Sequence, residues 1–440
     1  MSFKTLNLSP KLLKTIDSLG YTKPSEIQEK SIPLLLKKKD ILATSQTGTG
    51  KTASFVFPLL ENLSEEKQKR TGDERYKIKA LILAPTRELV IQIHNKIEVY
   101  AENFTHKSVA LYGGIKLGSQ VSAIRSGANI AVGTTARVLE HIKNRSLNLD
   151  EVEVVILDEA DKMLEMGFID DIRAIMTQLP SSRQSIMFSA TFPKPIMSLA
   201  KSFLKKPIII EVDKKNLSAQ QVNQVVNYVN EEEKIFLLSK IIRVNKWNQV
   251  LVFTNTKLQA DKIVEALRND KINTSAIHGD KSQNMRMEAL KKFKEKKIQV
   301  LVATDVAGRG IDIINLPYVI NFELPINNED YVHRIGRTGR AGEEGKALSL
   351  ICKKEITQLK EIEELINKKL EPITTDGFEY EPHTKASNRK SKKEDKKKGI
   401  NLKKAKELAE KMMGKKEMKD KVNFKKKKSR GQKPTNKRHF

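Results

Sequence analysis

The sequence predicts two tandem α/β domains, each a parallel sheet with helices on both faces, followed by a basic tail. Three observations carry this reading. Short apolar runs alternate with stretches long enough to form helices. The alternation stops once, at residues 213–221 (DKKNLSAQQ), and then resumes. After residue 370 the apolar runs fade and lysine takes over. The domains are therefore expected at 1–212 and 222–370, with a linker at 213–221 and a tail at 371–440.

In the first domain the runs at 80–84, 109–112, 130–133, 154–157 and 186–189 predict strands. Another strand is expected to lead into the Gly/Thr-rich segment that follows residue 42. In the second domain the runs at 222–229, 249–253, 274–278, 299–303, 319–322 and 347–352 predict strands. Both sets suit a sheet covered on its two faces. Residues 383–440 carry 24 Lys and Arg against 6 Asp and Glu, a net of +18, and almost no aromatics. Such a segment cannot bury enough surface to offset its ordering entropy, so the tail is expected to be disordered. Within it, Leu402, Ala405, Leu408, Ala409, Met412 and Met413 fall at helical spacing. They read equally as a short amphipathic helix or as a nascent helix without a partner.

The chain has 440 residues, 39% of them hydrophobic, enough for two or three globular cores. Its single cysteine, Cys352, excludes an internal disulfide and a multi-cysteine zinc site. The seven histidines never pair at metal-ligand spacing. No secretory leader is expected at the N-terminus, and no segment approaches the ~18 apolar residues of a membrane span. A soluble, cytoplasmic setting follows as an expectation. The net charge of +27 leaves +9 for the first 382 residues once the tail is set aside. A basic tail of this kind suits a polyanion such as nucleic acid, against the plainer reading that lysines only keep the chain soluble.

Two segments together suggest nucleotide chemistry. The first is Ser45-Gln46-Thr47-Gly48-Thr49-Gly50-Lys51-Thr52. Gly48 and Gly50 let backbone bend around phosphates, with Thr47 and Thr49 in the same loop, and the following helix N-terminus favours negative charge. Lys51 is placed for the β- and γ-phosphates, and the Thr52 hydroxyl for magnesium. Ser45 stands where the usual pattern has its first glycine. The second segment, Asp158-Glu159-Ala160-Asp161, follows the apolar run Val154-Val155-Ile156-Leu157. Asp158 is suited to hold magnesium, and Glu159 to orient and deprotonate an attacking water. ATP and Mg²⁺ are the expected cofactors. In the second domain, His333-Arg334-Ile335-Gly336-Arg337-Thr338-Gly339-Arg340 repeats Gly-x-Arg steps. Guanidinium forks match phosphoryl oxygens, so Arg337 and Arg340 are candidate arginine fingers, the alternative being a surface phosphate-backbone patch.

These residues, in this order, resemble the DEAD-box RNA helicases of helicase superfamily 2, over roughly residues 1–370. The opening Met1-Ser2-Phe3-Lys4 and the compact core with a basic tail look most like the bacterial RhlE-type branch. The resemblance implies two RecA-like domains. It implies that Tyr21 stacks on adenine and Gln28 reads its edge, within Gly20-Tyr21-Thr22-Lys23-Pro24-Ser25-Glu26-Ile27-Gln28, where Glu26 replaces a frequent proline. It implies that Asp312 contacts the ribose. Ser189-Ala190-Thr191 matches the motif coupling hydrolysis to strand separation, with its hydroxyls bonded to the acidic motif, and His333 joins that coupling role. RNA contacts carry over to Arg87, Gly113, Gly114, Thr134, Arg137, Arg286 and Thr304. Thr134-Thr135-Ala136-Arg137 departs from the family's Thr-Pro-Gly-Arg at its two middle positions.

The function expected is an ATP-dependent RNA helicase that opens short duplexes locally and holds the nucleic-acid backbone without reading bases. RNA is the expected partner, structured or ribosomal, alongside ribosome-assembly or RNA-decay proteins, and a monomer is expected. The competing readings are a non-hydrolytic RNA-binding or annealing protein and a DNA-unwinding member of the same superfamily.

Overall fold

Residue patterning splits each parallel strand between two cores. In the first domain Ile41 and Ala43, Ala80 and Ile82, and Val154 and Ile156 join one apolar cluster. The intervening Leu42, Leu81, Leu83, Val155 and Leu157 join another on the opposite face. Strand side chains alternate faces, so a run with no polar position must be covered twice. Helices supply both covers. Phe55 and Phe57, on the helix Lys51–Asn62, fill one side. Ile172 and Ile175, on the helix Ile169–Met176, fill the other.

This computed structural model describes residues 2–44, 50–63, 77–192, 194–212, 222–308, 316–339 and 345–378. They belong to one compact unit, Met1–Pro382. The expected linker and the tail beyond residue 378 lie outside the described residues. No described helix is long and apolar enough to cross a membrane.

The first sheet contains β1 (Ile41–Thr44), β2 (Ala80–Leu83), β3 (Ser108–Leu111), β4 (Ile130–Gly133), β5 (Val154–Leu157), β6 (Gln184–Ser189) and β7 (Ile208–Glu211). The second contains β8 (Val222–Tyr228), β9 (Val250–Thr254), β10 (Thr274–Ile277), β11 (Val300–Thr304), β12 (Tyr318–Asn321), β13 (Gly345–Ile351) and β14 (Glu371–Ile373). Their orders are β3-β4-β2-β5-β6-β1-β7 and β10-β11-β9-β12-β13-β8-β14. Counted from its own first strand, each sheet has the same order, so the chain repeats one parallel fold. The expected fold class holds: the two tandem domains are RecA-like.

The repeat moves one expected boundary. The second domain continues past residue 370, because β14 is the seventh strand and pairs with β8 at Glu371↔Val225 and Ile373↔Asn227. Asn227 donates to Thr375 Oγ1 at 2.8 Å. Lys240 reaches the Asp376 carbonyl and lies 5.6 Å from the Phe378 ring centroid. The short run Glu-Pro-Ile, with its proline, carries almost no strand signal, so only the sheet reveals it. At the other end of the first sheet, β7 is an edge strand with Ile208 and Ile209 exposed, and its three-isoleucine run was likewise not anticipated.

Asp40 ties together the same side of the first sheet, at the N-terminal ends of its strands. Its carboxylate accepts from Ser185 N at 2.9 Å and Lys205 N at 2.7 Å, joining the start of β1 to β6 and to the approach to β7. The boundary finding is testable by truncation. A chain ended at Leu370 loses β14 and the half-buried Ile373 and Phe378, and is expected to be about 2 kcal/mol less stable in its second domain than one ended at Pro382. Urea unfolding of the two truncated chains, read at Trp247, measures the difference.

Candidate functional site: a nucleotide cleft joined to a nucleic-acid face

Parallel strands all present their C-terminal ends along one edge, where open α/β sheets bind ligands. In the first sheet β1, β6 and β5 are neighbours. Their ends lead to the Gly/Thr loop, to Ser189 and to Asp158. The outer strands are thus two spacings apart, about 10 Å, a span that suits a polyphosphate. The remaining neighbours, β2, β4 and β3, lead to Arg87, Thr134 and Gly113. One edge therefore carries both candidate surfaces side by side.

At the nucleotide end, Gly50 precedes the helix Lys51–Asn62 with φ 90°. A side chain there would be strained, and its Cβ would run into Gln28 Nε2. Gln28 is buried. Its Oε1 accepts from Ser25 N at 2.9 Å, and its Nε2 donates to the Gly50 carbonyl at 3.1 Å. A primary amide has two donors and two lone pairs, so one of each remains for a ligand. The Tyr21 hydroxyl lies 3.0 Å from that of Tyr100, and the Tyr21 ring is 6.4 Å from Phe3. Lys51 and Thr52 are both buried. Lys51 Nζ stands 4.0 Å from Asp158 Oδ1. Thr47, Gly48, Thr49, Asp312 and Arg340 lie outside the described residues.

The acidic pair sits in a desolvated pocket. Burial pushes the Asp158 carboxyl above its ordinary range, opposed by the Lys51 ammonium and by the Glu159 amide that bonds it at 3.0 Å. Burial likewise raises Glu159, opposed chiefly by Lys51, with Arg337 of the second domain also lowering it. Glu159 has φ 55° and ψ 49°. A left-handed backbone at a long side chain is costly, and such strain gathers at functional positions. Carboxylate and hydroxyl oxygens are the donors a hard divalent cation prefers. Thr52 and Asp158 therefore fit magnesium in their chemistry.

The coupling segment is wired differently from expectation. The hydroxyls of Ser189 and Thr191 were expected to bond to the acidic motif. Instead Ser189 Oγ donates to the Thr191 carbonyl at 2.6 Å. The link is made by backbone: Ala190 N donates to Asp161 Oδ2 at 3.0 Å. Asp161 also accepts from Lys162 N at 3.1 Å, so the last acid of the motif acts as a brace.

On the second domain, the helix Glu329–Ile335 carries His333, half-buried, and leads to Arg337, which is buried. Arg334, which sequence reading left without a role, fixes that helix. Its Nε and Nη2 donate to Asp305 at 2.6 and 2.7 Å, Nη2 also to Asn255 at 3.0 Å, and Nη1 to Asn321 at 3.2 Å and the Glu323 carbonyl at 2.6 Å. All five donors of the guanidinium are used, and the group also lies 5.2 Å from the Phe253 ring. Only its spacing of three residues from Arg337 hinted at it.

The other half of the edge forms a groove of about 370 Å³ that gathers Arg87, Gly113, Thr134 and Arg137 from the first domain with Gly279 and Arg286 from the second. Gly114, at φ 90°, lets the Arg87 guanidinium approach; a Cβ there would sit 2.6 Å from Nη1. Thr134 is extended and the helix Thr135–Lys143 starts regularly. In place of the missing proline, Thr135 Oγ1 donates to Asp171 at 3.2 Å. Arg137 holds the Ile115 carbonyl at 3.2 Å and Glu140 at 2.9 Å. Thr304 ends β11, half-buried. Arg286 pairs across the domains with Glu88 at 2.7 Å, and Gln283 donates to the same oxygen at 3.2 Å. Glu88 Oε2, Gln283 Oε1 and Arg286 Nε are buried without hydrogen-bond partners. Orphaned polar atoms at one groove point to a polar ligand.

Comparison with known proteins fits this geometry. Residues 25–199 match the family model for DEAD/DEAH box helicases, and residues 233–342 that for the helicase conserved C-terminal domain. The chain is 41% identical to the ATP-dependent RNA helicase CshA of Listeria monocytogenes, over 84% of this chain and 70% of the relative. It is also 41% identical to the DEAD-box ATP-dependent RNA helicase CshA of Bacillus subtilis, covering 74% of it. Among solved structures, S. cerevisiae Dbp5 bound to RNA and ADP BeF3 superposes with a TM-score of 0.77 at 30% identity, over 85% of this chain and 96% of that one. A DEAD box protein from Methanococcus jannaschii is more similar in sequence, 42%, with a TM-score of 0.50 over 85% of this chain and 99% of that one. With fold, motif order and this identity in agreement, the chain belongs to the DEAD-box family of ATP-dependent RNA helicases.

Proposed function

We propose that this chain uses ATP to close its two domains on RNA, opens short duplexes locally, and reopens on hydrolysis. The observation that carries the reading is the shared groove, in which Arg87 and Arg137 of one domain face Arg286 of the other beside unpartnered polar atoms. The superposition supports the same reading. The relative bound to RNA and ADP BeF3 superposes on both domains at once, with a TM-score of 0.77 over 85% of this chain.

The residues divide the work by position. Lys51 and the Gly50 turn hold the phosphates, and Tyr21 and Gln28 hold the base. Glu159 takes the proton of the attacking water. Thr52 and Asp158 would hold magnesium, which when bound offsets phosphate charge. Arg337, with Arg340, brings positive charge from the second domain, so the barrier falls only when the domains meet. Arginine fingers of this kind are worth ~10³–10⁵ in rate. The nearness of the Asp158–Glu159 pair to Lys51 argues against the purely non-hydrolytic reading. On the RNA face, guanidinium, threonine and glycine groups grip phosphates and 2′-hydroxyls and read no base edges.

Several finer points belong to the same proposal. We read the chain as a cytoplasmic monomer acting on structured or ribosomal RNA, alongside ribosome-assembly or RNA-decay proteins. The RhlE-type branch expected from the opening residues is not what the matched relatives are named. They carry the CshA name, and we place the chain nearer that group.

Glu159→Gln tests the chemistry. RNA-stimulated turnover is expected to fall by ~10²–10⁴ while ATP and RNA still bind, as measured by phosphate release and fluorescence anisotropy. Turnover that survives would mean another base. The same variant should raise the melting temperature of the nucleotide-free protein at neutral pH. A carboxyl whose folded pKa is raised penalises the fold above that pKa, and the penalty is relieved as pH falls through it. The gain from glutamine should therefore shrink toward the ordinary carboxylate range.

Removing residues 383–440 tests the tail. RNA affinity is expected to weaken and its dependence on salt to flatten, because fewer phosphates are neutralised and fewer counterions released. Turnover at saturating RNA should change less. An unaltered affinity at moderate salt would sink this role.

A further inference from the structure

A buried ion pair crosses between the domains behind the acidic motif, away from the Glu88–Arg286 contact of the RNA face. Lys162 Nζ donates to Asp330 Oδ1 at 2.7 Å, with side chains only 3% and 4% exposed. The same ammonium bonds both Glu165 oxygens at 2.9 Å. Lys162 lies on the helix Ala160–Glu165, which starts immediately after Glu159. Asp330 lies in the first turn of the helix Glu329–Ile335, which runs through Arg334 to Arg337. The pair thus joins the element carrying the base to the element carrying the arginine. Arg334 ties the second of these helices to its domain through Asp305, Asn255 and Asn321, so a pull on Asp330 moves the domain rather than the helix alone.

We propose that Lys162 and Asp330 form a latch: positioning residues that hold Arg337 against Glu159 in the closed state and part when the domains open. The proposal rests on the ATP-driven closure put forward above. Its physical basis is the balance of a buried pair. Apart, both groups are hydrated. Together, their attraction roughly repays the water they lose, so an intact pair adds little net grip and can release. Removing the ammonium takes the cation away from the buried Asp330 carboxylate, which opposes closure strongly, whereas removing Asp330 leaves Lys162 still held by Glu165, a smaller loss. The latch is therefore reversible when whole and obstructive when halved. Glu165 is partly exposed and can turn to water if Lys162 is replaced.

The test is a double-mutant cycle with Lys162→Met, Asp330→Leu and the double variant, in the full chain. Two readouts are taken with a non-hydrolysable ATP analogue and single-stranded RNA: interdomain distance by fluorescence resonance energy transfer, and RNA affinity. Turnover is measured alongside. Lys162→Met is expected to weaken analogue-dependent RNA binding and turnover by about tenfold or more, Asp330→Leu by less because Glu165 still holds the ammonium, and the double variant to recover most of the Lys162→Met loss. Melting temperatures without nucleotide should stay near wild type, which a merely structural role would not give. Asp330→Asn, a milder change, stands in should Asp330→Leu fail to fold. Closure and turnover unchanged in Lys162→Met would overturn the latch, as would a double variant no better than Lys162→Met alone. A wild type that does not close with the analogue and RNA would overturn the closure reading and the latch together.

Discussion

All-parallel pairing is the constraint on which the site depends. A strand that runs parallel to its neighbour must return by a crossover, so every loop that follows a strand leaves by the same edge. The sheet order then decides which loops are adjacent. In the first domain it sets β1, β6 and β5 side by side and β2, β4 and β3 beyond them. The candidate nucleotide cleft and the candidate nucleic-acid groove become neighbours on one edge. Repetition of the same order in the second domain supplies a second edge of the same kind, with Thr254, Gly279 and Thr304 near the ends of its strands.

What joins the two edges is a small set of charges and backbone groups. Glu88 receives Gln283 and Arg286 across the domains at the groove. Asp161 receives the amide that follows β6. Arg337 lowers the Glu159 carboxyl from the opposite domain. None of these contacts is large in area. The first and the last cross between the domains, one at the groove and one at the acidic motif, so a single approach of the domains makes both.

Much of this was legible in the sequence, for definable reasons. Strands buried on both faces are continuous apolar runs, so most were found within a residue or two of their observed ends. Glycine at a forced positive φ and acids after a buried strand are residue types with few physical substitutes, and the family resemblance followed from their order. Edge strands were harder: Ile208–Glu211 and Glu371–Ile373 are short, half-covered, and defined by a neighbour rather than by their own pattern. Side-chain partnership was harder still. The sequence suggested hydroxyls for the link to the acidic motif, and the molecule uses the Ala190 amide, a group every residue there would possess. Arg334 looked like one arginine among three, and only its five acceptor atoms, on four residues of three separate segments, distinguish it from the candidate fingers.

The bond from Gln28 to the Gly50 carbonyl has a consequence for how nucleotides are told apart. The amide suited to the base is the same amide that props the turn leading into Lys51. A nucleotide whose base pulled on that amide would also disturb the turn, and with it the placing of the phosphates. A wrong base would then still occupy the cleft, since the phosphate contacts are common to all nucleoside triphosphates. Its penalty would appear in the rate of the chemical step more than in the strength of binding, so selectivity would be kinetic: competitors are admitted and turned over slowly.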